Sequence, residues 1–163
     1  IGMKLADSLG YGNWAVANGD DYYGPIWNKA YRLLALGLNA ALAYPLKSVC
    51  SHSGSVSRAI LHQDEDRLLT SIEEVHNLYP EDAARLNNPW VSMNAWVFQK
   101  ELLQWWPKAP MQHQVDREFG IPDALRVGIS KGASIAVAPV GDTWIGMTHA
   151  ADKEAVLMYF KGS

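Results

Sequence analysis

The segment Trp14-Ala15-Val16-Ala17-Asn18-Gly19-Asp20-Asp21-Tyr22-Tyr23-Gly24 constrains this chain most. An apolar run stops at two adjacent carboxylates, and aromatics and a glycine follow. Bounded in this way, residues 14–18 read as a buried strand in a sheet covered on both faces. Asp20 and Asp21 then lie at its carboxyl end, where open α/β sheets place their ligands. Two hard oxygen donors suit Mg²⁺, which takes one or two protein carboxylates and completes its shell with water and phosphate oxygens. The same pair also reads as a polar turn, or as an N-cap for the next helix.

The rest of the chain supplies enough material for a packed core. It has 163 residues, 48% of them apolar and 19% charged, which excludes a disordered polymer. A net charge of −3 gives no electrostatic case for nucleic acid or an anionic membrane. The single cysteine, Cys50, rules out an intrachain disulfide and fits a reducing compartment. Cys50 reads as structural or incidental. No apolar stretch of about 18 residues and no signal-peptide pattern is present, so a soluble, cytoplasmic protein is expected. Seven tryptophans point either to a large aromatic core or to an aromatic ligand or subunit surface.

Local patterns predict alternating strands and helices. Residues 4–9 read as the end of a helix. Residues 26–36 have helical spacing, with Ile26, Ala30, Leu33 and Leu34 on one face, Pro25 near the start and Gly37 as the stop. Residues 39–45 read as a second buried strand. Residues 57–62 and 68–75 form a hairpin around Gln63-Asp64-Glu65-Asp66-Arg67, whose acidic tip lacks the glycine and closing glutamate of a calcium loop. A helical turn over 81–86, a strand over 91–98 and a short helix over 100–106 follow, the last ended by Pro107. A helix within 116–128 starts late because of Pro122. A strand spans 134–140. A closing helix over 152–160 places Ala155, Val156, Tyr159 and Phe160 on one face. The class is mixed α/β with an antiparallel hairpin, in one domain over 1–163.

Five segments, taken in order, resemble the sugar-phosphate nucleotidyltransferases, which join a sugar 1-phosphate to a nucleoside triphosphate and release pyrophosphate. They are the run 15–24; Gly54-Ser55-Val56-Ser57-Arg58 with Asp64-Glu65-Asp66 and Leu69-Thr70-Ser71-Ile72; Val91-Ser92-Met93-Asn94-Ala95-Trp96-Val97-Phe98; Arg117-Glu118-Phe119-Gly120-Ile121-Pro122; and Trp144-Ile145-Gly146-Met147-Thr148. The resemblance implies a GT-A-like, Rossmann-like mixed sheet with flanking helices. Asp20, with Asp21 beside it, matches the aspartate that holds Mg²⁺ at the triphosphate. Glu74 matches the glutamate that accepts hydrogen bonds from sugar hydroxyls, and Asn94 an asparagine that also grips the sugar. Outside the resemblance, these residues read as turn, exposed-strand and strand-end polar groups.

The chain also departs from the family pattern. The family begins with a strand and a glycine-rich, basic-ended loop that cradles the triphosphate; no such loop is present here, and Gly10 and Gly12 do not replace it. Val75 and His76 stand where a phosphate-binding lysine is common. No carboxylate lies within 144–148, although Asp142 and Asp152 flank that segment, and His149 reads as a polar loop residue. The expectation is therefore a truncated domain, its catalytic residues unassigned, that keeps a sugar or sugar-phosphate pocket around Glu74 and Asn94. Mg²⁺ is expected only if the protein is active. Two alternatives stay open: a Mg²⁺-dependent transferase completed by oligomerisation or a partner chain, and an interaction protein with a vestigial site. Loss of neighbouring strands would leave an open sheet edge at 14–18, so a homo-oligomer paired through that edge is expected.

Overall fold

The computed structural model describes residues 9–105, 120–141 and 143–162. The expected helix over 4–9 falls almost wholly outside them, as do Trp106, Pro107, Arg117 to Phe119 and Asp142. Among these residues six strands form one mixed sheet: β1 (Asn13–Val16), β2 (Ala40–Pro45), β3 (Val56–Gln63), β4 (Leu69–Leu78), β5 (Trp90–Gln99) and β6 (Ala136–Pro139). The order is β4-β3-β5-β2-β6, with β1 also on β5. The helices are α1 (Trp27–Ala35), α2 (Pro80–Arg85), α3 (Ile121–Ser130) and α4 (Asp152–Lys161).

Strand β5 organises the sheet. One of its edges carries β2, antiparallel. Its other edge changes partner: Val91 and Ser92 pair with β3, while Trp96 to Gln99 pair with β1. Between them, no described strand pairs with residues 93–95 on that edge, so β1 and β3 splay apart there. Asn94 sits in this gap with φ +58°, a left-handed conformation that asparagine tolerates better than most residues.

Each face of the sheet carries its own core, because β5 alternates. Val91, Met93, Ala95 and Val97 join Ile26, Ala30, Leu42 and Tyr44 under α1. Trp96 and Phe98 point the other way, stack with centroids 6.0 Å apart, and pack with Leu61, Ile72, Leu125 and Val137 under α3. All six residues of β2 are buried, as expected for a strand covered on both sides. Helix α1 buries the expected face and stops where expected. Leu38 N–H donates to Leu33 C=O and Gly37 N–H to Leu34 C=O, with Gly37 at φ +71°, which is a Schellman ending. In the hairpin tip, Asp64 Oδ1 accepts from the N–H groups of Asp66 and Leu68, so this acidic residue ties a turn.

Two expectations are corrected. The first strand is shorter than the expected 14–18, and it is not covered on both faces: Asn13 and Ala15 are exposed and Trp14 and Val16 half-buried. It is a two-sided edge strand paired only to β5 among the described strands. On the closing helix Tyr159 and Phe160 are exposed, as are Leu157 and Met158. Tyr159 and Phe160 meet the Tyr22 ring at 5.9 and 5.3 Å.

This placement gives contrasting substitutions. Phe98→Ala removes a fully buried ring and is expected to cost about 3–5 kcal/mol in urea unfolding. Met158→Ala on α4 should change stability by less than about 0.5 kcal/mol, whereas a buried position there would cost several times more.

Candidate functional site

The gap between β1 and β3 opens a cleft of about 250 Å³. Its floor follows from strand register. Ala59 on β3 lies opposite Glu74 on β4 and opposite Ser92 on β5. Directly opposed residues project to the same face, so Glu74 and Ser92 flank the small Ala59 methyl, about 10 Å apart across two strand spacings. Asn94 follows two residues beyond Ser92, and its N–H donates to Ser92 Oγ at 3.1 Å. Glu74, Ala59, Ser92 and Asn94 all line the cleft. Glu74 and Asn94 are exposed while Ser92 is buried. The two expected substrate residues thus meet in one open cleft. Ser92 completes their row, and its strand alternation with Asn94 was the available sequence signal.

The opposite wall starts at the end of β1. Tyr23 is buried, and its hydroxyl donates to Met93 C=O at 2.7 Å, satisfying a carbonyl within the unpaired stretch of β5. The same oxygen accepts from Asn18 N–H at 3.0 Å. Burial, with Asp21 and Asp20 nearby, pushes the Tyr23 hydroxyl well above its ordinary pKa, so it stays protonated. Tyr44 Oη in turn donates to Tyr23 C=O at 2.7 Å.

The Asp pair divides. Asp21 is half-buried and lines the cleft, with Oδ2 accepting from Asn18 Nδ2 at 2.9 Å. Asp20 lies exposed in the turn and is not among the lining residues. Neither caps a helix: α1 begins after Ile26 and has no side-chain cap. Among the described residues, no three His, Cys, Asp or Glu side chains converge to hold a metal ion. A Cβ at Gly146 would collide with Asp21 Oδ1 and the Trp144 ring, so the segment 144–148 passes close against Asp21 without bringing a second carboxylate.

The segment after β6 closes the cleft, which Trp144, Met147 and Thr148 help to line. It is fixed at three points. Tyr22 and Ile145 exchange backbone hydrogen bonds, each 2.8 Å. His149 Nε2 lies 2.9 Å from Ser55 C=O, with its ring so near Gly54 that a Cβ there would sit 2.9 Å from it. Asp152 accepts from the N–H groups of His149 and Thr148 and from Ser51 Oγ. Burial is the largest single effect on Asp152 and opposes its ionisation, but the hydrogen bonds from His149, Ser51, Ser53 and Thr148 together outweigh it and hold the carboxyl at about 2, against 3.8 ordinarily.

Arg58 is the residue that sequence reasoning missed, although it ends one of the matching segments. It is 8% exposed, lines the cleft, and has Cζ 5.3 Å from the Trp144 ring centroid. Its Nε and Nη2 donate to Val49 C=O at 3.0 and 2.5 Å, and its Nη1 to Ser57 C=O at 2.9 Å. Burial lowers its pKa, opposed by the Cys50, Asp21 and Asp152 charges. Cys50, close by, donates weakly to Leu46 C=O at 3.3 Å, and burial pushes its thiol pKa up.

The fold is that of nucleotidyltransferases. Among solved structures, the chain is similar to HddC from Yersinia pseudotuberculosis, at 13% identity and TM-score 0.59, covering 97% of this chain and 60% of that one. It is similar to the inositol-1-phosphate CTP transferase from T. maritima at 14% identity and TM-score 0.62, covering 96% and 59%. UDP-glucose pyrophosphorylase complexed with UDP-glucose gives 15% identity and TM-score 0.59, covering 99% and 61%. The chain thus spans about three-fifths of the length of these structures. No protein-family model and no curated protein sequence matches it.

Two outcomes follow from this geometry. Tyr23→Phe strands the Met93 carbonyl and the Asn18 N–H, and should cost about 1–3 kcal/mol in chemical denaturation. Because the folded pKa of Asp152 is depressed, its contribution to stability is present above about pH 4 and fades as pH falls towards 2. A pH series of melting temperatures should therefore drop less steeply over that window in Asp152→Asn than in the wild type.

Proposed function

We propose that this chain binds a sugar phosphate in the cleft between β1 and β3. The observation that carries the reading is the convergence of Glu74, Ser92 and Asn94 around the Ala59 floor, in a cleft that Trp144 lines and that stays open among the described residues. A carboxylate accepts from sugar hydroxyls, a serine hydroxyl does both, and an amide offers donors and an acceptor together. Such convergent polar groups around a small floor suit a hydroxyl-rich ligand. The likeness to UDP-glucose pyrophosphorylase complexed with UDP-glucose supports a ligand that carries a phosphorylated sugar, and the likeness to HddC complexed with GMP-PN supports a nucleotide ligand.

A second reading is Mg²⁺-dependent nucleotidyl transfer, favoured by the Asp21 carboxylate at the cleft. It requires triphosphate oxygens to bridge the ion and a phosphate cradle beyond the residues described here. Here Asp20 and Asp21 would serve as metal ligands, with Asp20 turning inward from its exposed position. A homodimer paired through the free edge of β1 also belongs to this proposal, as that edge bears no strand among the described residues.

Thermal unfolding with glucose 1-phosphate, and separately with nucleoside triphosphate and Mg²⁺, tests the reading. A sugar phosphate at 100 times its dissociation constant should stabilise by about 2.7 kcal/mol. Glu74→Gln and Asn94→Ala should each weaken binding by about tenfold or more. No shift with any sugar 1-phosphate overturns the binding function, and pyrophosphate release from added triphosphate replaces it with the transferase. Sedimentation should give a dimer that Ala15→Pro converts to monomer, since proline removes an edge donor; a monomeric wild type rules the edge contact out.

A further inference from the structure

The one buried cation among the residues lining the cleft makes bonds only to backbone carbonyls. An arginine has five N–H donors in a fixed planar fork. In Arg58, Nε–H and the adjacent Nη2–H point the same way, and both meet Val49 C=O. Nη1 donates one hydrogen to Ser57 C=O. What remains is one hydrogen on each terminal nitrogen. No described carboxylate lies within ion-pair distance of this guanidinium. Trp144 lies within cation–π distance, and the Val49 and Ser57 carbonyls hold the guanidinium in place. A buried charge left in this state is costly unless something completes it.

We propose that the free fork of Arg58 is an oxyanion subsite of the cleft, which makes the protein select ligands that carry a phosphate or carboxylate on the sugar. The inference rests on the sugar-phosphate reading above and assigns the anion to a specific side chain. Two N–H groups match two oxygens of either anion, and a guanidinium already held in place loses little side-chain freedom on binding. Ser57 and Ser92 line the same cleft, beside Arg58 and on its floor. Asp21 and Asp152 lie near enough to influence the Arg58 charge, and Glu74 also lines the cleft, so the carboxylates outnumber the one cation and any preference for an anion over a neutral sugar comes from the guanidinium itself.

Nitrogen-resolved NMR of the arginine side-chain N–H groups in the full chain reads the contact directly. The probes are glucose 1-phosphate, glucuronate, inorganic phosphate and glucose. Shifted Arg58 signals with the phosphate or the carboxylate probe, and unmoved signals with glucose, are expected; which anion acts identifies the source. By calorimetry, Arg58→Lys keeps the charge and loses the fork, and should bind the active probe about tenfold or more weakly. If that variant fails to fold, the wild-type NMR titration decides. Unmoved Arg58 signals with every anion, or unchanged affinity in a folded Arg58→Lys protein, overturns the subsite. If glucose 1-phosphate binding depends on Glu74 and Asn94 but not on Arg58, the sugar reading stands and this inference falls. If inorganic phosphate moves Arg58 and the sugar adds no affinity, the subsite stands and the sugar reading falls.

Discussion

The site depends on β5 changing partner. A long central strand paired along both edges would be a closed surface. Here its edge passes from β3 to β1, and the splay between them creates both a cleft and a problem. The backbone at 93–95 loses the ladder that would satisfy it, and unpaired buried polar groups are expensive. Tyr23 offsets that cost by placing its hydroxyl on Met93 C=O from the turn that follows β1. Asn94 answers in another way: its positive φ lets the strand bend, and its side chain turns to the cleft.

The same turn links the cleft to the last third of the chain. Asp21 faces inward against Gly146, Tyr22 pairs with Ile145, and Tyr22 also carries α4 through Tyr159 and Phe160. From the other side, His149 and Asp152 bind the loop before β3. Trp144, held between these ties, lies against Arg58. The cleft wall is therefore assembled from loops clamped to a rigid sheet. This places ligand-facing groups on irregular backbone while the strands set their spacing.

Legibility in the sequence followed the range of the interactions. The hairpin, α1 and β2 were readable because each is set by neighbours: alternation, a 3.6-residue stripe ending at Gly37, an unbroken apolar run. The site row was readable in part. Glu74 and Asn94 came from the resemblance, and register then placed Ala59 and Ser92 between and beside them. Strand β1 was misread because its Trp-Ala-Val run is what a buried strand carries, and its exposure depends on what packs on it.

By itself, the sequence determined the mixed α/β class, the hairpin, the order of elements and the residue types able to grip a polyhydroxyl ligand. Hydrophobic period and turn chemistry are local, so a linear chain carries them openly. Only the tertiary structure decided that Asp21 and not Asp20 faces the cleft, that Ala59 forms its floor, and that Arg58 sits buried with two N–H groups free. Those outcomes depend on strand register and on contacts between segments as far apart as 58 and 144. A shift of one residue in the pairing of β3 would turn Ala59 and Arg58 each to the other face.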